Sequence, residues 1–245
     1  MIRKAGAHLR SFILALADVL FPSRCASCGE PVSYAASLLC GRCRNSIGPL
    51  GEHCDRCSGL ETADGCGFCG NRRFYPIRHI AAAEYEGPVE KALHGLKFSG
   101  RRRLYLPLSD LLYNAIGEAA GEVDVVTAVP MNRTKRWRRG YNQSELIARR
   151  IARRLGRPYV RLLGENPRSA TQKKLHSLER YINVLGRYRA VDPGAAAGRR
   201  VLLVDDVLTT GATINECARV LVDCGAAGVI SATVARAGIK KLENL

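Results

Sequence analysis

The stretch Val201-Leu-Leu-Val-Asp-Asp-Val-Leu-Thr-Thr-Gly-Ala-Thr213 decides how this chain is read. Four apolar residues in a row, Val201 to Val204, predict a strand buried on both faces, the pattern of a parallel sheet. The acidic pair Asp205-Asp206 then stands at its carboxyl end, the edge at which open α/β sheets bind ligands. Behind it, Thr209, Thr210, Gly211, Ala212 and Thr213 make a hydroxyl- and glycine-rich turn that opens a helix. Helix N-termini offer unpaired N–H groups and a positive dipole end to an anion. A glycine there lets the backbone turn tightly and approach a phosphate closely. A phosphate cradle thus sits beside two carboxylates that can accept hydrogen bonds from sugar hydroxyls, and ribose 5-phosphate carries both groups.

This segment resembles the phosphoribosyl-diphosphate (PRPP) motif of type I phosphoribosyltransferases: four apolar residues, two acids, two variable residues, then Thr-Thr-Gly-x-Thr. Two other strand-plus-acid patterns compete. A Walker B strand needs a Gly-x-x-x-x-Gly-Lys-[Ser/Thr] partner, which the chain lacks. The acidic pocket of receiver domains lies near a domain's start and has no phosphate loop directly behind it.

Working outward, the region from about Arg78 alternates strand and helix signals, the mark of a parallel sheet covered by helices. Strands are predicted at His79–Tyr85, Val123–Val129, Tyr159–Leu163, Val201–Val204 and Val229–Ala235. Helices are predicted at Val89–Phe98, Leu104–Ala120 and Gln143–Leu155, the last opened by an Asn142/Glu145 capping box. In that helix Ile147, Ala148, Ile151, Ala152 and Leu155 face inward, and Arg149, Arg150, Arg153 and Arg154 face outward. The polar segment Gly164–Tyr181 has no clear period and reads as a functional lid or a disordered loop. Cys217 and Cys224 share an apolar helix face with Ile214, Ala218 and Leu221 and read as core.

Eight of the ten cysteines fall between Cys25 and Cys69, in four Cys-x-x-Cys pairs: Cys25/Cys28, Cys40/Cys43, Cys54/Cys57 and Cys66/Cys69. A two-residue spacer lets one turn deliver two thiolates to the same ion, so four pairs make two four-thiolate zinc sites. Disulfides need an oxidising compartment, for which there is no signal; an iron–sulfur cluster is the other metal reading. Pairing the knuckles in sequence or interleaving them both remain open. Neither site keeps an open position, so the two zincs hold the fold and do no chemistry. His53 is not needed as a ligand.

The chain of 245 residues carries a net charge of +16, unevenly spread. Residues 131–161 hold eleven Lys/Arg and one acid, Glu145, which implies polyanionic company. Trp137, Tyr141 and Tyr159 lie among these cations, a mixture suited to single-stranded DNA, where rings stack on bases and cations track phosphates. At the N-terminus, Leu9, Phe12, Ile13, Leu16 and Leu20 recur at helical spacing. The apolar run there is broken by Asp18 and is too short to cross a bilayer. A small amphipathic helix and a cytoplasmic protein are expected.

Taken in order, these pieces resemble the ComF family, in which a double zinc ribbon precedes a phosphoribosyltransferase-like domain. The likeness covers nearly the whole chain. It runs through Leu20-Phe21-Pro22, Leu96-Lys97-Phe98-Ser99-Gly100, Val129-Pro130 and Arg139-Gly140-Tyr141-Asn142-Gln143. Arg168-x-x-Thr171-Gln172-x-x-Leu175, Arg180-x-x-Asn183 and the phosphate motif complete it. The resemblance implies a helix over 1–22, a double zinc ribbon over 23–75, and over 76–245 an α/β domain of parallel strands with helices on both faces. It further implies PRPP bound with Mg²⁺: Asp205 and Asp206 on the ribose hydroxyls, Thr209 to Thr213 on the 5-phosphate, and Asn132, Arg133 and Arg139 toward the diphosphate. Thr171, Gln172 and Arg180 would sit in a lid, and Lys97 and Arg101 would reach toward the site. The family also implies a role in natural transformation, with single-stranded DNA and a DNA-uptake helicase or translocase as partners. On one reading the chain transfers phosphoribosyl to an acceptor. On the other it is a non-catalytic DNA-handling accessory whose PRPP site is regulatory or vestigial, with Arg149, Arg150, Arg153 and Arg154 as the DNA contact.

Overall fold

A computed structural model describes residues 23–33, 38–59, 61–62, 65–66, 69–70, 73–166 and 184–238. The N-terminal helix expected over 1–22 and the residues Arg168, Thr171, Gln172 and Arg180 lie outside the described residues.

Four parallel strands form the centre: β5 (Arg78–Glu84), β6 (Val125–Ala128), β9 (Arg200–Leu208) and β10 (Gly228–Arg236), in the order β5-β10-β9-β6. Alternate residues of β9 serve opposite faces. Leu202 and Val204 join a core with the helices α2 (Gly87–Phe98), α3 (Tyr105–Ile116) and α5 (Gln143–Leu155). Val201 and Leu203 join a second core with the helix α6 (Ala212–Asp223). Both faces of the sheet are therefore covered, which is why Val201 to Val204 of β9 are apolar in an unbroken run. Cys217 is fully buried in the second core and Cys224 packs at its margin.

Several boundaries differ from expectation. The strand expected to stop at Val204 continues through the acids, paired with β10 as far as Leu208 against Arg236. Its other neighbour, β6, ends at Ala128 opposite Val204. From Asp205 onward β9 is thus flanked on one side only, and the acids reach the open carboxyl edge while still held in a strand. The helix expected over Leu104–Ala120 ends at Ile116, because Gly117 takes φ 49° and six residues of tighter 3-10 turn follow. The strand expected at Tyr159–Leu163 contributes a single parallel bridge, Tyr159 to Val126. The chain then enters the short antiparallel pair β7 (Leu163–Glu165) and β8 (Tyr188–Ala190). An unforeseen helix, α4 (Arg133–Arg139), fills the connection after β6.

Ahead of the sheet lie two small antiparallel pairs, β1 (Ser23–Arg24) with β2 (Pro31–Val32) and β3 (Glu61–Thr62) with β4 (Gly65–Cys66), and the short helix α1 (Gly41–Asn45). The second ribbon lies along the outer edge of β5. His79 N–H donates to Arg56 O and Ala81 N–H to Ser58 Oγ, while Ser58 Oγ–H donates to His79 O at 2.8 Å. An edge strand is an aggregation liability, and this ribbon satisfies part of it.

Candidate phosphoribosyl and zinc sites

The cysteines fall into two groups, Cys25/Cys28/Cys40/Cys43 and Cys54/Cys57/Cys66/Cys69, with the sulfurs of each group within 4.8 Å of one another. Knuckles therefore pair in sequence, not interleaved. Cys28 Sγ lies 3.7 Å from Cys40 Sγ, and Cys54 Sγ 3.7 Å from Cys69 Sγ. Four sulfurs about 2.3 Å from one tetrahedral ion stand about 3.8 Å apart, so both groups fit a structural zinc. His53 Nδ1 is engaged with Gly51 O at 2.7 Å and belongs to neither group.

The second site gathers at the carboxyl edge of the sheet. A cleft of about 680 Å³ is lined by Asp205 and Asp206 from β9, Lys97 and Phe98 from α2, and Asn142, Gln143 and Ser144 at the start of α5. Asn132, Lys135, Arg138 and Arg139 of the α4 region form a basic wall, and Glu165, Arg187 and Tyr188 close the far side. Asn142 caps α5 by accepting from Ser144 N–H at 3.1 Å, and its Nδ2 donates to Val129 O, which ties the helix start to the end of β6. Glu145 does not complete the expected capping box; it pairs with Arg136 and Arg149.

This places two side chains against the acids. Ser144 Oγ–H donates to Asp205 Oδ1 at 2.7 Å, and Gln143 Nε2 donates to Asp206 Oδ2. Gln143 Oε1 in turn accepts from Arg139 Nη1, whose guanidinium lies 5.4 Å from the centroid of the Phe98 ring. Lys97 Nζ sits 2.9 Å from Asp206 Oδ1, in an ion pair largely closed to solvent. Burial, then the charge of Asp206, pushes the Asp205 carboxyl up to about 7, against the Ser144 hydrogen bond that favours its ionised form. Burial would lower the Lys97 pKa, but Asp206 and then Asp205 hold it above the ordinary lysine value.

The phosphate turn has the expected form at its pivot. Gly211 adopts φ 65°, a left-handed conformation that suits glycine, and begins α6 without a side-chain cap. Of the five turn residues, Thr213 lines the cleft; Thr209 and Thr210 are partly exposed beside it, and Gly211 and Ala212 are buried. Asn132 lines the cleft while its Oδ1 caps α4, accepting from Thr134 and Lys135 N–H. Arg133 is exposed on α4 and is not among the lining residues. Arg101 turns away and donates to Arg24 O of the first ribbon. Gln143 stood in the stretch Arg139-Gly140-Tyr141-Asn142-Gln143 and at a helix start, and Ser144 only in that helix, since neither signal says where these side chains point. Lys135, Arg138 and Arg187 carried no signal beyond the general excess of charge.

The outward face of α5 is less open than expected. Arg150 and Arg154 both pair with Asp110, and Arg149 pairs with Glu145 and stacks 4.3 Å from the Tyr159 ring centroid. Trp137, by contrast, is 84% exposed on α4. No helix among the described residues is long and apolar enough to cross a membrane.

Comparison with known proteins finds both kinds of domain in the chain. A phosphoribosyl transferase domain model matches residues 138–244, and a double zinc ribbon domain model matches residues 16–73. The DNA utilization protein YhgH of Escherichia coli K12 is 30% identical over 217 residues, covering 85% of this chain and 94% of its own length. Competence protein F of Haemophilus influenzae is 30% identical over 210 residues, covering 82% of this chain and 91% of its own. Among solved structures, the glutamine PRPP amidotransferase of B. subtilis is 27% identical, with a TM-score of 0.37 over 52% of this chain and 25% of that one. Fold and motifs define a phosphoribosyltransferase-type domain joined to a double zinc ribbon. The chain belongs to the ComF family.

Proposed function

We propose that the chain binds PRPP with Mg²⁺ in the cleft and transfers its phosphoribosyl group to a nucleophilic acceptor, in the service of DNA handling. The observation that carries this reading is the pair Asp205-Asp206, held at the open edge of β9 by Gln143, Ser144 and Lys97. Buried acids with such support are hard to justify structurally, and they face a wall of Lys135, Arg138 and Arg139. In this reading the carboxylates accept hydrogen bonds from the two ribose hydroxyls. The N–H groups and hydroxyls of Thr209 to Thr213 receive the 5-phosphate. Lys135, Arg138 and Arg139, with Asn132, meet the diphosphate.

The reaction breaks the bond from ribose C1 to the diphosphate oxygen and forms one from C1 to the acceptor. The diphosphate leaves with the bonding pair, and the acceptor's proton passes to solvent. Fixed cations on the wall stabilise the charge that develops on the leaving group. Oxygen donors such as these carboxylates and the ligand's own hydroxyls suit Mg²⁺, which would supply further charge neutralisation on the diphosphate. Calorimetry of the zinc-loaded protein with PRPP and Mg²⁺ tests the reading. Binding that is lost in the Asp205→Asn, Asp206→Asn double variant supports it, and absence of PRPP binding in the parent protein refutes it.

A second reading, contact with single-stranded DNA, is favoured by the exposure of Trp137 among Arg133, Lys135 and Arg138, and by the names of the relatives. Because Asp110 and Glu145 already neutralise much of α5, α4 is the better contact face. Log affinity should fall with log salt by about 0.7 per phosphate contacted. Replacing Arg133, Lys135 and Arg138 with Gln should flatten that slope more than replacing Arg149, Arg150, Arg153 and Arg154. The reverse order would return the contact to α5.

A further inference from the structure

Two neighbouring carboxylates at the edge of a cleft ordinarily make a site for a free divalent cation, since hard oxygen donors attract Mg²⁺ and Mn²⁺. Here one of them already has a cation. Lys97 comes from the last turn of α2, and its ammonium lies 2.9 Å from Asp206 Oδ1, with 19% of the Lys97 side chain and 8% of the Asp206 side chain exposed. Asp206 Oδ2 is taken by Gln143 Nε2, and Asp205 Oδ1 by the Ser144 hydroxyl and the Asp206 N–H. Every one of these partners comes from the chain. Two residues also fix where Lys97 can reach: Leu96, fully buried in the core beneath it, and Tyr141, whose hydroxyl donates to Leu96 O.

Resting on the PRPP reading above, we propose that Lys97 is a resident counter-ion that makes the acid pair blind to free divalent cations. A metal ion approaching the carboxylates alone meets an ammonium in contact with them, in a place where water screens poorly. A metal ion that arrives with a polyanion meets the opposite balance. The anion's charge offsets the repulsion, and the ammonium gains a second partner in the diphosphate. Metal and ligand therefore enter together, or the anion enters first. The cell's free Mg²⁺ leaves the empty site alone, so the ribose hydroxyl acceptors stay available. Lys97 is here a positioning and selectivity residue, distinct from any group that acts on the reacting bond.

Mn²⁺ binding, read by the loss of the free-ion electron paramagnetic resonance signal, tests this on the full-length zinc-loaded chain without PRPP. The parent protein should show no Mn²⁺ site tighter than millimolar. Lys97→Met should gain one site at least tenfold tighter, and that site should vanish when Asp205→Asn and Asp206→Asn are added. Lys97→Arg, which keeps the charge, should behave as the parent. Lys97→Gln, which keeps a donor to Asp206 without the charge, should gain the site as Lys97→Met does and serves if the methionine variant does not fold. Equal Mn²⁺ affinity in parent and uncharged variants, or a tight site in the parent, overturns the proposal. The PRPP reading is scored separately by adding PRPP to the parent. Failure to bind it would remove that reading while leaving the Mn²⁺ comparison interpretable.

Discussion

Between Ser23 and Arg73 no described strand exceeds two residues, whereas β9 and β10 run nine residues each. Apart from Leu39, the buried hydrophobic residues described in that first region are cysteines: Cys25, Cys43, Cys54, Cys57 and Cys69. In the sheet they are Val, Leu, Ile and Ala on both faces of every central strand. The first region has too little apolar surface to offset the entropy of ordering its turns. Its cysteines gather instead in two groups that each fit a zinc ion, and in a module of that kind metal binding and folding are one free energy. The sheet draws its core from aliphatic side chains, which Cys25, Leu39 and Cys43 of the first ribbon join under α2, α3 and α5.

The sharpest way to break this contrast is to remove the metal. The purified chain should carry about two zinc ions, and chelation should unfold residues 23–73 first. The energy at stake is on the order of 10 kcal/mol per site by analogy with zinc-binding peptides. Hydrogen exchange should then show amides of both ribbons unprotected while β9 and β10 stay slow. Iron in the metal analysis, disulfides, or loss of the whole chain in one step would show that the two regions are not built differently.

The converse experiment strikes the sheet. Leu203 is fully buried in the core beneath α6, and Leu203→Ala should destabilise the parallel domain by about 3–4 kcal/mol through lost burial and a residual cavity. Chemical denaturation with two probes should show an earlier loss of sheet structure, with two zinc ions per chain retained before the transition. Simultaneous release of zinc on mutation alone would mean that the ribbons depend on the sheet for their fold.

A third test concerns the edge itself. Asp205 has its carboxyl raised to about 7 from 3.8, by burial and then by Asp206. Between those values the folded state holds a proton that the unfolded state gives up. Stability therefore falls as pH rises through this window, and above about 7 the penalty is complete. Asp205→Asn should stabilise the protein at pH 8 by on the order of 1–3 kcal/mol, and by little near pH 4. Under the PRPP reading the ionised carboxyl is the stronger acceptor for a ribose hydroxyl. PRPP affinity of the parent should then rise from pH 6 to 8 as stability falls. A variant equally stable at both pH values, or affinity that ignores pH, would remove the trade between fold and site.

How much of this was legible in the sequence follows the same division. Cysteine spacing gave the ribbons because a zinc site is a local pattern, two residues apart within each knuckle. Apolar runs gave β6, β9 and β10 because burial on both faces imposes composition directly, and the helical spacing of Ile147, Ala148, Ile151 and Ala152 gave α5. Asp205, Asp206 and Gly211 were readable because the motif is contiguous. Of the supports of the acids, Lys97 was expected to reach toward the site but not to pair with Asp206, and Gln143 and Ser144 carried no such signal. All three lie far along the chain and meet the acids only through packing. The extension of β9 to Leu208 was hidden for a related reason. Asp205 and Asp206 were placed at the end of the strand, yet β10 goes on pairing past them, Thr233 against Asp205 and Ala235 against Val207, through backbone groups that ignore side-chain identity. Helix α4 was obscured by Pro130 and a run of charge, with its cap, Asn132, already assigned to a ligand.

The smallest effect is expected where the two regions meet. Ser58 adopts φ 53°, an uncommon conformation for a residue with a side chain. Its hydroxyl donates to His79 O at 2.8 Å and accepts from Ala81 N–H at 3.3 Å, while its own carbonyl accepts from Arg236 Nη1 at 2.8 Å. Arg236 is held in turn by Glu84 at the end of β5. Ser58→Ala keeps the backbone link to Arg236 and deletes both hydroxyl bonds, leaving a buried donor and acceptor on β5 without their partner. The cost should be about 1–2 kcal/mol, far below that of losing an ion or a core leucine. Zinc content should be unchanged, since Cys54 and Cys57 are untouched, and exchange should quicken at Ala81 before it does on β9. Ser58→Gly separates the two contributions: it loses the same bonds but relieves the left-handed backbone, so it should cost less than Ser58→Ala. If the alanine variant instead sheds zinc, the ribbon's fold leans on the sheet edge, and metal alone does not hold it.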